Sequence, residues 1–207
     1  MCTCFVLQCF LSSLFVADSN NLQGTIPSEL EVIQSLVEFD IDNNTLAGSI
    51  TSAFGKLSLL KFLDLDTNLL EGEIPEALYN LTSLIALDLE GNRLSGTVSS
   101  RIGLLTNLFI VQLDNNYLRG NIPTETGLLT NLGTCVLHVL LFCCHTCVIS
   151  FFAVTLIYHF LYKGYFTATG NQFTGQIPDN LCGLPTEALV ANCDLCVTEG
   201  CCTNCTN

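Results

Sequence analysis

The stretch NLLEGEIP (68–75) shares its skeleton with NNLQGTIP (20–27), NTLAGSIT (44–51), NRLSGTVS (92–99) and NYLRGNIP (116–123). Its leading Asn therefore falls at Asn20, Asn44, Asn68, Asn92 and Asn116, with the same 24-residue interval each time. A fixed period of that length describes a solenoid, in which each unit buries its apolar side only against its neighbours. A sixth unit, NQFTGQIP, begins at Asn171, which is 55 positions after Asn116 and so one period plus 31 positions. Something has been inserted into the array.

Ahead of each Asn runs the pattern L-x-x-L-x-L-x-x, as in LKFLDLDTN (60–68) and LIALDLEGN (84–92), with LVEFDIDNN (36–44) and LFIVQLDNN (108–116) as variants. Alternation over a few residues predicts a short strand with Leu, Phe, Val and Ile turned inward. The Asn then closes the turn, where its amide can bond backbone groups of adjacent coils that would otherwise be buried without partners. Gly lets the chain bend where a side chain would clash. Leu78, Leu81 and Leu84, three residues apart, fill the far side of the coil.

These motifs resemble the leucine-rich repeat, and the G-x-I-P half of each unit is similar to the plant-type subclass of cell-surface receptors and secreted inhibitors of wall-degrading enzymes. The resemblance covers roughly residues 12–135 and 167–193 and implies an α/β repeat solenoid of about six 24-residue coils, with short parallel strands on a concave sheet where partners dock. The run LCGLP (181–185) followed by Cys193 resembles that family's disulfide-bonded C-terminal cap, which implies pairing of Cys182 with Cys193. The expected organisation is an apolar leader (1–17), five coils (18–135), an apolar insert (136–166), a sixth coil (167–181) and a Cys-rich cap (182–207).

Thirteen Cys in 207 residues point to an oxidising compartment, hence the secretory pathway and an extracellular or plasma-membrane location. Cys193-x-x-Cys196 and Cys202-x-x-Cys205 also have metal-ligand form, but the spacer between them is five residues, against about 15–20 in a zinc ribbon. His138, His145 and His159 all lie in the insert without acidic companions, so no metal site and no cofactor is assigned. Asn43, Asn80 and Asn204 head N-x-S/T sequons and are candidate glycan acceptors. Residues 1–17 form an uncharged apolar run of signal-peptide length, yet Phe15, Ala17 and Asn20 also occupy the slots of Leu63, Leu65 and Asn68, so the same stretch reads as the strand of a first repeat.

Removing Val136 to Phe166 restores the 24-residue register, with Leu132, Cys135, Ala168 and Asn171 on the repeat positions. Within that insert Val136 to Tyr162 carries no formal charge and is long enough to cross a bilayer as a helix of about 20 residues. A crossing there would part the fifth coil from the sixth. The competing expectation is an intron translated in frame, since a Val136 codon opens with GT.

The net charge is −13. By the period of two, the concave face presents Asp40, Asp42, Asp64, Asp66, Asp88, Glu90, Gln112 and Asp114 in two columns, with Asp18 preceding them. Strands about 4.8 Å apart place these carboxylates close enough to repel one another and to attract Lys- or Arg-rich ligands. Six Lys and Arg in the whole chain argue against nucleic acid. With no nucleophile elbow, P-loop, zincin or kinase motif, an enzyme is not expected. The expected function is recognition of a protein, peptide or glycan on the concave face; inhibition of a wall-degrading hydrolase through the same face is the alternative, and a degenerate repeat fragment without a partner is a third reading.

Overall fold

The computed structural model describes residues 13–132, 165–182, 188–192 and 204–206. Each coil opens with a three-residue strand carrying the L-x-L core of the repeat. These are β1 (Leu14–Val16), β3 (Glu38–Asp40), β5 (Phe62–Asp64), β7 (Ala86–Asp88), β9 (Ile110–Gln112) and β11 (Tyr165–Thr167). Each pairs in parallel with the same strand of the coils before and after, in the order β1-β3-β5-β7-β9-β11. The strands of each turn region, β2 (Gln23–Gly24), β4 (Thr45–Ser49), β6 (Leu69–Glu73), β8 (Arg93–Ser95), β10 (Arg119–Gly120) and β12 (Gln172–Phe173), form two further sheets, β2-β4-β6-β8 and β10-β12.

The return path of the coil is short 3-10 helix: Ser28–Val32, Ser52–Lys56, Glu76–Asn80, Ser100–Leu104 and Thr124–Leu128. Pro27, Pro75 and Pro123 begin three of them, with φ between −60° and −73°, a value that the proline ring sets in advance. Where the repeat lacks Pro, a hydroxyl substitutes. The Thr51 side chain accepts from the Ala53 N–H at 3.2 Å and that of Ser99 from Arg101 at 3.3 Å. At Gly72, φ is +84°, a region nearly closed to other residues, which is why Gly occupies the bend after the ladder Asn.

Between the strands and the 3-10 segments lies one continuous apolar core. Leu60, Leu63, Leu65, Leu70, Leu78, Leu81 and Leu84 are all within 1% of full burial, and the slots repeat coil by coil. At the N-terminal end Phe15 stacks on Phe39 with centroids 5.0 Å apart, and Phe39 meets Phe54 edge-on at 5.2 Å.

The buried Asn residues connect coil to coil. Asn68 Oδ1 accepts from the Leu46 N–H at 3.0 Å, while its Nδ2 donates to the Ile41 carbonyl at 3.0 Å and to Leu65 and Asp66 of its own coil. Asn44, Asn92 and Asn116 repeat the pattern. Asn171 continues it across the irregular interval, accepting from Leu118 at 3.0 Å and donating to Leu113 at 2.8 Å. Asn20 differs, being exposed and donating, among the described residues, to Ala17 and Asp18 of its own coil.

The sixth coil begins earlier than the expected boundary at residue 167. Tyr165, Phe166 and Thr167 pair with Ile110, Val111 and Gln112, so Tyr165 and Phe166 belong to strand β11. The reason is burial: Phe166 takes the inward slot expected of Cys135 and is fully buried, which removes far more apolar surface from water than a Cys would. After a four-residue helix α1 (Asp179–Cys182), the expected cap region adds two more parallel strands to the concave sheet, β13 (Ala188–Asn192) beside β11 and β14 (Asn204–Thr206) beside β13. The leader up to residue 12, the segment 133–164 and Cys193 lie outside the described residues, as do the side chains of Cys182 and Asn204. Among the described residues no helix is long and apolar enough to cross a membrane.

Candidate functional site on the concave sheet

Two outward positions on each three-residue strand and one in the turn that follows make three columns, and the parallel register aligns them. Glu38, Phe62, Ala86 and Ile110 stand side by side, then Asp40, Asp64, Asp88 and Gln112, then Asp42, Asp66 and Glu90 in the turns that follow. The first column is acidic only at Glu38. Phe62, Ala86 and Ile110, joined by Ile85 and Phe109, form an apolar cluster separate from the main core. The acidic columns are thus bordered by an apolar strip along one side. The sequence expectation covered the acids and missed the strip, although the same period-two count that picks out Asp64 also picks out Phe62.

Each acid of the middle column has one oxygen committed to the turn. Asp40 Oδ1 accepts from the Asp42 N–H at 3.1 Å, Asp64 Oδ1 from Asp66 at 3.2 Å and Asp88 Oδ1 from Glu90 at 3.0 Å. This is an Asx-type turn, repeated in three coils, and it fixes the carboxyl plane. The other oxygens are less well served. Among the described residues Glu38 Oε1 and Asp40 Oδ2 are buried without a hydrogen-bond partner, Glu38 and Asp40 being only 3% and 1% exposed, while the carboxyls of Asp42 and Asp66 face each other closely enough to share a hydrogen bond.

Such an arrangement raises carboxylate pKa values, because burial penalises the charged form and neighbouring acids repel it. Burial, then repulsion by Asp42, Asp18 and Glu38, pushes Asp40 up to about 7, although the bond from Asp42 opposes the shift. Asp42 rises to about 6 through burial and then the charges of Asp66 and Asp18. Burial raises Glu38 and Asp66. Asp64 and Asp88 rise further, first through burial and then through repulsion, with Asp88 acting on Asp64, and Asp66, Glu90 and Asp114 acting on Asp88. Near neutral pH the most buried carboxyls of this face therefore keep protons.

The last members of the columns behave differently. Asp114 is expected as a ligand-facing group, yet it is 7% exposed and its Oδ1 accepts from the N–H and hydroxyl of Thr169 at 2.7 and 2.6 Å. It secures the sixth coil to the fifth. Glu90 accepts from Gln112 and Asn115 at 3.3 and 3.2 Å, which ties the third column to coil five. Of the described sequons, Asn43 is exposed and donates to Ser19 Oγ at 3.3 Å, and Asn80 is exposed and accepts from Arg101 at 2.7 Å. Among the described residues no group of three or more His, Cys, Asp or Glu is placed to hold a metal ion. An open groove of about 710 Å³ lies across the turn region of the first three coils, between Thr25, Glu29, Ser49 and Pro75.

A leucine rich repeat family model matches residues 18–94. A search of curated proteins found no match. Among solved structures the chain is similar to a TDR receptor, with 31% identity and a TM-score of 0.65 over 87% of this chain and 30% of that one. It is also similar to the LRR ectodomain of the receptor kinase SOBIR1 from Arabidopsis thaliana, with 32% identity and a TM-score of 0.55 over 57% of this chain and 64% of that one. A third likeness is to the Arabidopsis receptor kinase HAESA in complex with the peptide hormone IDA and the co-receptor SERK1, with 25% identity and a TM-score of 0.62 over 86% of this chain and 26% of that one. The chain spans about a quarter of the HAESA chain and less than two thirds of the SOBIR1 ectodomain. The stacked parallel strands, the Asn ladder and these likenesses define a leucine-rich repeat solenoid. The chain is a leucine-rich repeat protein of the plant type.

Proposed function

We propose that this chain is a non-enzymatic recognition module whose concave sheet takes an extended peptide, or a protein segment, bearing Lys or Arg beside an apolar side chain. The observation that carries the reading is the pair of acidic columns, partly exposed at Asp42, Asp64, Asp66 and Asp88 and crowded with like charges, next to the partly exposed ring of Phe62. Carboxylates left unsatisfied in a partly desolvated site gain most from a cation that also donates hydrogen bonds, and Arg does both. HAESA holds a peptide hormone, which supports a peptide as the ligand class. The module is extracellular, either secreted or receptor-borne, with glycans on Asn43, Asn80 and Asn204 and a Cys182–Cys193 disulfide closing its C-terminal end.

Selection from a display library of random extended peptides, followed by calorimetric titration, tests this. The expected binders carry Arg or Lys one or two residues from an aromatic or aliphatic side chain, and Asp42→Ser with Asp66→Ser and Glu90→Ser weakens them at least tenfold. Binders without a basic residue, or affinity unchanged in the triple variant, would sink the proposal.

A further inference from the structure

The described coils fix how many residues the solenoid leaves out, and the genetic code then fixes where. Leu132 closes the return path of the fifth coil as Leu108 closes that of the fourth, each donating its N–H to the residue three before it. Tyr165 pairs with Ile110, the second residue after Leu108. One residue thus belongs between Leu132 and Tyr165, and 32 are present, an excess of 31. The two sides of this excess form one body, for β9 and β11 are hydrogen-bonded neighbours, and Asn171 and Thr169 bond directly to Leu113, Leu118 and Asp114. A single membrane crossing by the intervening residues would put those partners on opposite sides of the bilayer.

At three bases per codon that excess is 93 nucleotides, and introns open with GT and close with AG. Excision of Val136 to Phe166 meets the first condition and fails the second, because Phe codons end in T or C. Splitting the Cys135 codon as T|GT fails likewise, since the matching Phe166 codon begins with T where the closing G must stand. An excision beginning at the third base of a codon needs Ser or Arg, encoded AGN, among residues 163–167, which read Lys, Gly, Tyr, Phe, Thr. One placement remains. The intron opens inside Gly133, split as G|GT, and closes on the first base of the Gly164 codon, after a Lys163 codon AAA. The rejoined codon, G followed by GN, encodes glycine again.

We propose that the message for this protein carries a 93-nucleotide intron between these split glycine codons, and that the spliced chain reads Asn131-Leu132-Gly-Tyr165-Phe166. That product places one Gly between Leu132 and Tyr165, the number the register demands, and keeps Phe166 in the core slot. The apolar character of the extra segment follows from the same source. Val, Leu, Ile and Phe codons all carry T at the second base, so a T-rich intron read in frame yields an apolar run with no selection for a bilayer.

Sequencing the genomic copy together with the expressed message across codons 125–180 tests the proposal. The expected results are codon 133 as GGT, codon 163 as AAA, and a message 93 nucleotides shorter than the gene that encodes Leu-Gly-Tyr at the junction. Any other codon at 133 or 163, a shorter message joined elsewhere, or a message of full length alone overturns it.

Discussion

Replacing Asp40 by Asn isolates the cost of an ionised carboxylate in the concave sheet. Its pKa rises from 3.8 in the unfolded chain to about 7 in the fold, mainly through burial. Each pKa unit corresponds to about 1.4 kcal/mol, so the full shift amounts to a ceiling of about 4 kcal/mol. The sign follows from proton counts. Between pH 4 and 7 the folded protein keeps a proton on Asp40 that the unfolded chain has shed, so stability falls as pH rises, by at most about 1.4 kcal/mol per pH unit from this group. The contribution is fully present below pH 4 and is lost as pH passes 7. Asn at this position still offers an oxygen to the Asp42 N–H and does not titrate. The assay is urea unfolding of the full chain at pH 5, 6, 7 and 8, followed by circular dichroism because the chain has no Trp. Wild type should lose roughly 2–3 kcal/mol more than Asp40→Asn between pH 5 and 7. Parallel profiles for the two proteins would refute the argument, and so would a wild-type stability that climbs over that range while the variant's climbs equally.

Other substitutions separate the ladder, the turn and the ligand face. Asn68→Ala strands the buried Leu46 N–H and the Ile41 carbonyl and should cost about 3 kcal/mol or more, whereas Asn20→Ala, at an exposed site bonded among the described residues to its own coil, should cost under about 1 kcal/mol; urea midpoints of the two variants check this. Asp114→Ala removes both bonds to Thr169 and should loosen the sixth coil by about 1–3 kcal/mol, seen as faster amide exchange at Thr167 and Thr169 than at Leu87. Thr67 adopts φ +47°, a strained value for a β-branched residue, at the position where the next coil has Gly91; Thr67→Gly should therefore be neutral or raise stability by up to about 1 kcal/mol in thermal unfolding. For any basic peptide that binds the concave face, affinity should increase from pH 5 to 8 as Asp42 and Asp40 ionise, and titration calorimetry in buffers of different ionisation enthalpy should register proton release.

The 24-residue spacing of Asn44, Asn68, Asn92 and Asn116 was enough to specify strands, turns and coil number, because in a solenoid every contact a unit makes is to an equivalent residue one period away. Period-two counting likewise places Asp40, Asp64 and Asp88 in one column. What the columns do was another matter. Asp64 and Asp114 have the same acidic character in the sequence, yet one is held among like charges and the other is hydrogen-bonded by Thr169, a residue 55 positions later. Phe166, read as part of the insert, fills a core slot because strand pairing to Val111 rewards the larger side chain, a choice between two registers of equal length that no local pattern expresses. The repeat and hence the solenoid are legible in the sequence, since those depend on short-range periodicity. Which acids are desolvated, and where the sixth coil resumes, depend on burial and pairing set by neighbours distant along the chain.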